Sequence, residues 1–165
     1  MPVDAIFSTA TFHRVLDHPQ RFRALFACLK PGSRLVAQSC GGPNIASLRQ
    51  RAEPLLASEK YREKATGWCN PWAFWTAEET ARRLGKAGFI DIETSLGSAP
   101  TAFQNTSEYH QFVRSVVLRA HPDALPDSTR DAFISDITAF AAVDDSAFTL
   151  DYWRLNLAAT RPRTT

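Results

Sequence analysis

The chain has 165 residues, of which 44% are hydrophobic and 22% charged, and a net charge of +2. That is the make-up of a soluble globular domain with a core of its own. No apolar run nears the ~20 residues of a membrane span, and Asp4 stands where a secretion signal wants positive charge. The basic residues are scattered along the chain, with no stripe interleaved with aromatics, so neither a nucleic-acid nor a membrane partner is expected.

Cys28, Cys40 and Cys69 are odd in number and widely spaced. They make neither a disulfide framework nor a metal-ligand pattern. Reduced thiols in a cytoplasmic protein are the expectation, with no metal.

In chain order, residues 3–8 predict a short buried strand. Asp17-His18-Pro19 is a helix start, with an acid at the positive end of the dipole and proline in the first turn. Phe22, Leu25, Phe26 and Leu29 recur at helical spacing. Pro31-Gly32 stops that helix, and residues 34–39 form a strand rich in Leu and Val, as interior parallel strands are. Asn44 is placed to cap a helix that Pro54 kinks or breaks. Residues 66–75 form an aromatic loop with Trp68, Trp72, Phe74 and Trp75 around Asn70-Pro71.

Thr76 and Glu79 make a capping box for a helix over 77–87, closed by Gly88 in the left-handed conformation. Residues 89–96 predict a strand. Tyr109, Phe112, Val113, Val116, Val117 and Ala120 line one helix, and Phe133, Ile134, Ile137, Phe140 and Ala141 a second. His121-Pro122 to Leu125-Pro126-Asp127 separates the two. Residues 148–160 predict the last strand, and 161–165 should fray. The expected organisation is one α/β domain over 1–165, with a helical insertion at 105–143.

In open α/β sheets, ligands bind beyond the carboxyl ends of the parallel strands. The first such end is Ser8-Thr9-Ala10-Thr11-Phe12-His13. His13 can orient a substrate or act as a base; the alternative is a turn whose hydroxyls satisfy backbone groups. At the second end, Gln38 and Asn44 offer amide donors to a carboxylate or carbonyl, and Gly41-Gly42 would let backbone approach a ligand. A plain strand-to-helix turn is the alternative there. Cys40 reads as a small buried hydrophobe.

Four segments carry a resemblance: Asp4-Ala5-Ile6-Phe7-Ser8-x-Ala10-x-Phe12-His13 with Asp17-His18, then Leu29-Lys30-Pro31-Gly32-Ser33-Arg34-Leu35-Val36, Ala87-Gly88-Phe89-Ile90-Asp91-Ile92, and Tyr152-Trp153-Arg154-Leu155-Asn156-Leu157-Ala158-Ala159. In this order they resemble class I S-adenosylmethionine-dependent methyltransferases, in particular the trans-aconitate-methyltransferase-like group, from the family's fourth strand to its last. The acidic-x-Gly-x-Gly cofactor loop of the family's first half is absent, and Arg14 stands where an aromatic residue often follows the histidine.

The resemblance implies a partial Rossmann-like methyltransferase sheet, mixed, with the last strand antiparallel and inserted between 34–39 and 89–96, and with helices on both faces. It implies S-adenosylmethionine as cofactor and a small-molecule methyl acceptor. Ser8, Thr9, Ala10 and Phe12 would line the methionine end of the cofactor, His13 would be catalytic, and Gln38, Asn44 and Trp72 would meet the substrate. The tryptophan loop would then be either a lid that excludes water or a satellite core.

With the cofactor half missing, the isolated segment is expected to bind cofactor weakly or not at all; a truncated gene product and a natural short form are both open. A non-catalytic α/β binding module is the competing expectation. It would use the edge of the strand at 3–8, which has no lysine or proline to protect it and invites self-association.

Overall fold

A computed structural model describes residues 1–65, 72–118 and 125–163. Trp68, Asn70, Pro71, Cys69, Ala120 and the His121-Pro122 turn lie outside them. The chain divides into two compact units. The first takes Met1–Asn44, Trp72–Ala99 and Tyr152–Thr165, the second Ile45–Pro71 and Pro100–Asp151.

The first unit is a four-stranded sheet with two helices. Its strands are β1 (Val3–Thr9), β2 (Leu29–Cys40), β3 (Ile90–Ser98) and β6 (Trp153–Thr160), in the order β1-β2-β6-β3. The pair β1–β2 is parallel, while β6 runs antiparallel to both β2 and β3. The mixed sheet with its last strand inserted is therefore the one expected from sequence.

Helix α1 (His18–Cys28) starts as predicted, the Asp17 carboxylate accepting from Gln20 N at 2.9 Å. Helix α3 (Ala77–Lys86) starts on Thr76, whose hydroxyl accepts from Glu79 N at 3.1 Å, and Gly88 follows at φ +99°. That φ suits only glycine well, and a Cβ there would stand 3.1 Å from the Phe26 ring, tighter than an ordinary contact.

Three boundaries differ from the sequence reading. Strand β2 begins at Leu29, directly after α1, and Pro31-Gly32 sits inside an irregularity opposite the start of β1. The helix therefore ends before the proline, and the turn is absorbed as a bulge. The stretch 148–160 is interrupted: Phe148 takes φ +52°, and only Trp153 onward joins the main sheet. Arg161 is tied down instead of frayed, donating to the carbonyls of Phe26 (2.9 Å) and Leu29 (2.5 Å) at the end of α1.

Strand alternation sorts this sheet into two faces. Leu35, Ala37, Leu157 and Ala159 point to one face and pack with Phe12, Phe22, Leu29, Leu84 and Phe89. Both helices of this unit lie on that face, where the sequence reading put helices on both. On the opposite face Phe7 is 76% exposed and Val36 40% exposed.

The second unit holds α2 (Ala46–Ala57), α4 (Thr106–Phe112), α5 (Asp127–Ala142) and a short antiparallel ribbon of β4 (Thr101–Ala102) with β5 (Thr149–Leu150). Helix α2 continues three residues past Pro54. Asn44 does not cap it; Ile45 occupies the cap position at φ +48°, and the Asp151 carboxylate accepts from Ser47 N at 3.2 Å. Tyr61 packs edge-on against Phe133 at 5.4 Å and donates its hydroxyl to Asp136 at 2.7 Å. Both predicted stripes are core-facing in Tyr109, Val113, Val117, Phe133, Ile134, Ile137 and Ala141, whereas Val116 and Phe140 are exposed. After α4 the chain widens into a π-helical turn over Val113–Val117, which re-aims its side chains.

Phe22 is fully enclosed and Phe7 is open to solvent. Phe22→Ala should cost about 3–5 kcal/mol of stability, and Phe7→Ala within about 0.5 kcal/mol. Denaturant midpoints of the two variants check this.

Candidate functional site

The carboxyl ends of parallel strands β1 and β2 meet at His13. Strand β1 stops at Thr9, Ala10 turns at φ +53°, and a single 3-10 turn over Phe12–Arg14 buries Phe12 and His13. Thr11 closes that turn locally, its hydroxyl donating to Thr9 O at 2.9 Å. Ser8 is half-buried, while Thr9 and Ala10 are exposed. Phe12 belongs to the core, under the Arg21 guanidinium at 4.1 Å.

The His13 Nδ1 accepts the Cys40 N–H at 3.4 Å, which joins the two strand ends. Its imidazole is held neutral, with a pKa pushed down to about 4, first by burial and then by the charges of Arg14 and Arg154. With Nδ1 accepting, the single proton of the neutral ring sits on Nε2.

Cys40 pairs in register with Arg154 across β2 and β6. Arg154 Nη1 donates to the Cys40 sulfur at 3.4 Å, and its guanidinium lies 5.0 Å from the centre of the Tyr152 ring. Burial pushes the Cys40 thiol up against the opposing pull of Arg154, and pushes Tyr152 up to about 12. The thiol is therefore no nucleophile at neutral pH. Arg154 and Tyr152 were read from sequence only as part of a strand. Their alternation ahead of Leu155 was visible, but the partner of Arg154 lies 114 positions away.

The aromatic segment reaches the same place. Ala73 N donates to His13 O at 3.0 Å. Trp72 stacks on Phe74 with ring centroids 5.9 Å apart, and Phe74 lies 6.0 Å from the His13 ring. Trp75 goes elsewhere, under Arg83 at 3.5 Å and beside His18 at 5.6 Å.

Gln38 and Asn44 do not join this cluster as donors. Gln38 Nε2 donates to Asn156 Oδ1 at 2.8 Å on the open sheet face, in a row Thr9, Gln38, Asn156, Ser95 that crosses all four strands. That row and Phe7, Val36, Ala158 and Glu93 beside it line a trough of about 500 Å³. Asn44 is buried, its oxygen accepting from Trp153 N at 2.9 Å. The close approach at Gly41 is to this chain itself: a Cβ there would stand 2.6 Å from Leu155 and 2.9 Å from the Trp75 carbonyl. Among the described residues, no group of three or more His, Cys, Asp or Glu could hold a metal, and no helix is long and apolar enough to cross a membrane.

No protein-family model matches the sequence, and comparison with curated proteins finds no match. The fold does match solved structures. The YcgJ protein of Bacillus subtilis is similar over 99% of this chain and 65% of its own length, with a TM-score of 0.56 and 10% identity. A presumed methyltransferase from Bacillus halodurans C-125 is similar over 98% of this chain and 65% of its own, with a TM-score of 0.53 and 14% identity. Phosphoethanolamine N-methyltransferase 2 of Haemonchus contortus, solved with S-adenosylhomocysteine, is similar over 97% of this chain but 33% of its own, with a TM-score of 0.49 and 16% identity. The architecture thus matches part of the Rossmann-like fold of these solved structures. The chain spans a third to about two thirds of the length of these proteins.

The two buried imidazoles make stability depend on pH. His18, 2% exposed, has its pKa pushed down to about 3 by burial and the charges of Arg21 and Arg83. A free histidine titrates near ~6.5. Below that pH the unfolded chain therefore binds protons that the folded chain refuses. Stability from these groups is complete above pH ~6.5, and is lost as pH falls through about 4 for His13 and about 3 for His18. The thermal midpoint should drop steadily from pH 7 to pH 4, and His18→Leu should make that drop shallower. Thermal melts across that range check it.

Proposed function

We propose that this chain carries the acceptor-side wall of an S-adenosylmethionine-dependent methyltransferase that acts on a small molecule, and that the isolated chain holds the cofactor only weakly. What carries the reading is the strand-end cluster of His13, Cys40 and Arg154 with Trp72 and Phe74, set where open α/β sheets bind ligands. The partial methyltransferase fold and the four sequence segments support it.

The residues at this strand end fit one side of the cofactor. The Ser8 and Thr9 hydroxyls, the Ala10 backbone and Phe12 would lie along its methionine end. Neither strand-end segment, 8–14 or 38–44, contains an acid to take ribose hydroxyls. When bound, the cofactor supplies an electrophilic methyl group. Methyl transfer asks mainly for proximity and alignment, so the protein's task here is to orient the acceptor and keep water out.

With a pKa of about 4, His13 is a poor base at neutral pH. Its Nε2–H is a hydrogen-bond donor, aimed by the Cys40 N–H on the other nitrogen. In this reading His13 orients the acceptor by donating to it. Trp72 and Phe74 cover the site from the loop.

Amide NMR titration of the 165-residue chain with S-adenosylmethionine tests the reading. Millimolar affinity is expected, with shifts confined to residues 8–13. Micromolar binding would overturn the weak-binding part, since it lies about 4 kcal/mol beyond millimolar. Shifts that leave residues 8–13 untouched would overturn the site.

A second reading rests on β1, which is the edge strand of the sheet and shows Phe7 76% exposed. Two copies paired antiparallel about Ile6 would set each Phe7 opposite the small Ala5 of the other, covering the ring while satisfying the free backbone groups. Ile6 packs against the core, so Phe7→Lys is the cleaner probe. Light scattering should show dimers of the unaltered chain at micromolar concentration and monomers of Phe7→Lys. A monodisperse monomer of the unaltered chain sinks this reading.

A further inference from the structure

The two helices of the first unit carry a feature that methyl transfer does not use. Helices α1 and α3 border a groove of about 250 Å³, lined by Pro19, Arg23, Arg82, Arg83, Lys86 and Ala87. Four of those six side chains are cationic. The acid tied to them is Glu79, which accepts from Arg82 Nε and Nη2 (2.9 and 2.6 Å) and from Arg83 Nε (2.8 Å), and these bonds pull its carboxyl down to about 2. Glu79 is therefore ionised and committed. Arg83 still has Nη1 without a partner. Arg23 and Lys86 have no ion pair among the described residues.

The arrangement works against the free fold. Arg82 and Lys86 stand at i and i+4 on α3, where like charges repel, and Arg23 lines the same groove from α1. Arg21, also on α1, is half-buried over Phe12 and Phe22, with its pKa pushed down to about 10 by burial and the charge of Arg83. It remains charged at neutral pH. Four cations thus line one groove, two of them tied to the committed carboxylate of Glu79. Arg83 packs over Trp75 at 3.5 Å, but the apolar cluster that holds Phe22 and Leu84 includes neither Arg23 nor Lys86, so core packing does not account for those two charges.

We propose that this groove binds a compact, multiply charged phosphate anion, such as a pyrophosphate or the phosphate end of a phosphorylated metabolite. Arginine forks match phosphate oxygens two at a time, and Lys86 adds a point charge. The volume lies below the ~300–1,000 Å³ of pockets that enclose drug-sized ligands. A small anionic group therefore fits where a whole nucleotide would not.

The probes are inorganic pyrophosphate and tripolyphosphate, titrated calorimetrically into the 165-residue chain at fixed ionic strength. Saturable one-to-one binding is expected, with a raised thermal midpoint. Both should weaken at least tenfold in Arg23→Glu/Lys86→Glu, whose altered residues lie at the groove surface, and persist in the control Arg62→Glu/Lys64→Glu. Circular dichroism and the ligand-free melting point confirm that the variants remain folded. Should the groove variant unfold, Arg23→Gln/Lys86→Gln provides the second comparison, with a smaller loss in the same direction. Failure to saturate, or equal binding by groove and control variants, would overturn the proposal. So would a midpoint shift that sodium chloride reproduces at the same ionic strength. Cofactor titrations report on residues 8–13 after β1, whereas this groove is lined by residues of α1 and α3, so the two ideas fail separately.

Discussion

The antiparallel pairing of β6 with both β2 and β3 is the constraint on which the first unit depends. A strand paired on both sides, with Leu155, Leu157 and Ala159 buried on one face, ties the end of the chain to its beginning. That pairing sets Arg154 opposite Cys40 and Asn156 opposite Gln38. It also brings Arg161 to the last carbonyls of α1. Shifting β6 by one residue would turn Leu155 and Leu157 outward and aim Arg154 into the core. Register here is thus a condition for the candidate site as well as for the core.

The sheet face with the helices and the face without them behave as different surfaces. On the helical face, apolar burial is nearly complete and dominated by Phe22, Leu29, Leu35, Leu84 and Ala159. On the open face, polar and apolar rows alternate: Phe7 with Val36 and Ala158, then Thr9 with Gln38, Asn156 and Ser95. The polar row is internally hydrogen-bonded, Gln38 to Asn156 and Asn156 to Ser95. The apolar row leaves Phe7 exposed on the end strand β1.

The electrostatics of the candidate site follow from burial more than from specific pairing. His13 and Tyr152 are kept neutral chiefly by loss of solvent, with neighbouring arginines adding to the effect on the imidazole. The result is a site of neutral donors and a silent thiol beside the guanidiniums of Arg14 and Arg154. Such a surface suits orientation of a ligand better than proton abstraction.

Local chemistry made much of this legible in the sequence. Asp17 before Pro19 and Thr76 before Glu79 announce helix starts because capping is decided within three residues. The stripe through Phe22 and Leu29 and the run Leu155-Asn156-Leu157 announce buried faces because helix and strand periods differ. The order of the four family-like segments announced the sheet and its inserted last strand. The histidine at the end of β1 could be singled out for the same reason, since it follows a strand and a turn.

What only the tertiary structure decided involves partners far apart in the chain. The break at Asp151-Tyr152, the absorption of Pro31-Gly32 into β2, and the placing of both helices of the first unit on one face depend on which strands pair, and propensity does not record that. Asn44 looked like a cap and became a buried acceptor for Trp153; Gly41 looked like a ligand contact and proved to be a packing contact with Leu155. The neutrality of His13, the thiol contact of Arg154 and the cationic groove between α1 and α3 are products of burial and juxtaposition. Desolvation and Coulomb forces act through space, and a single chain read in order carries no measure of them.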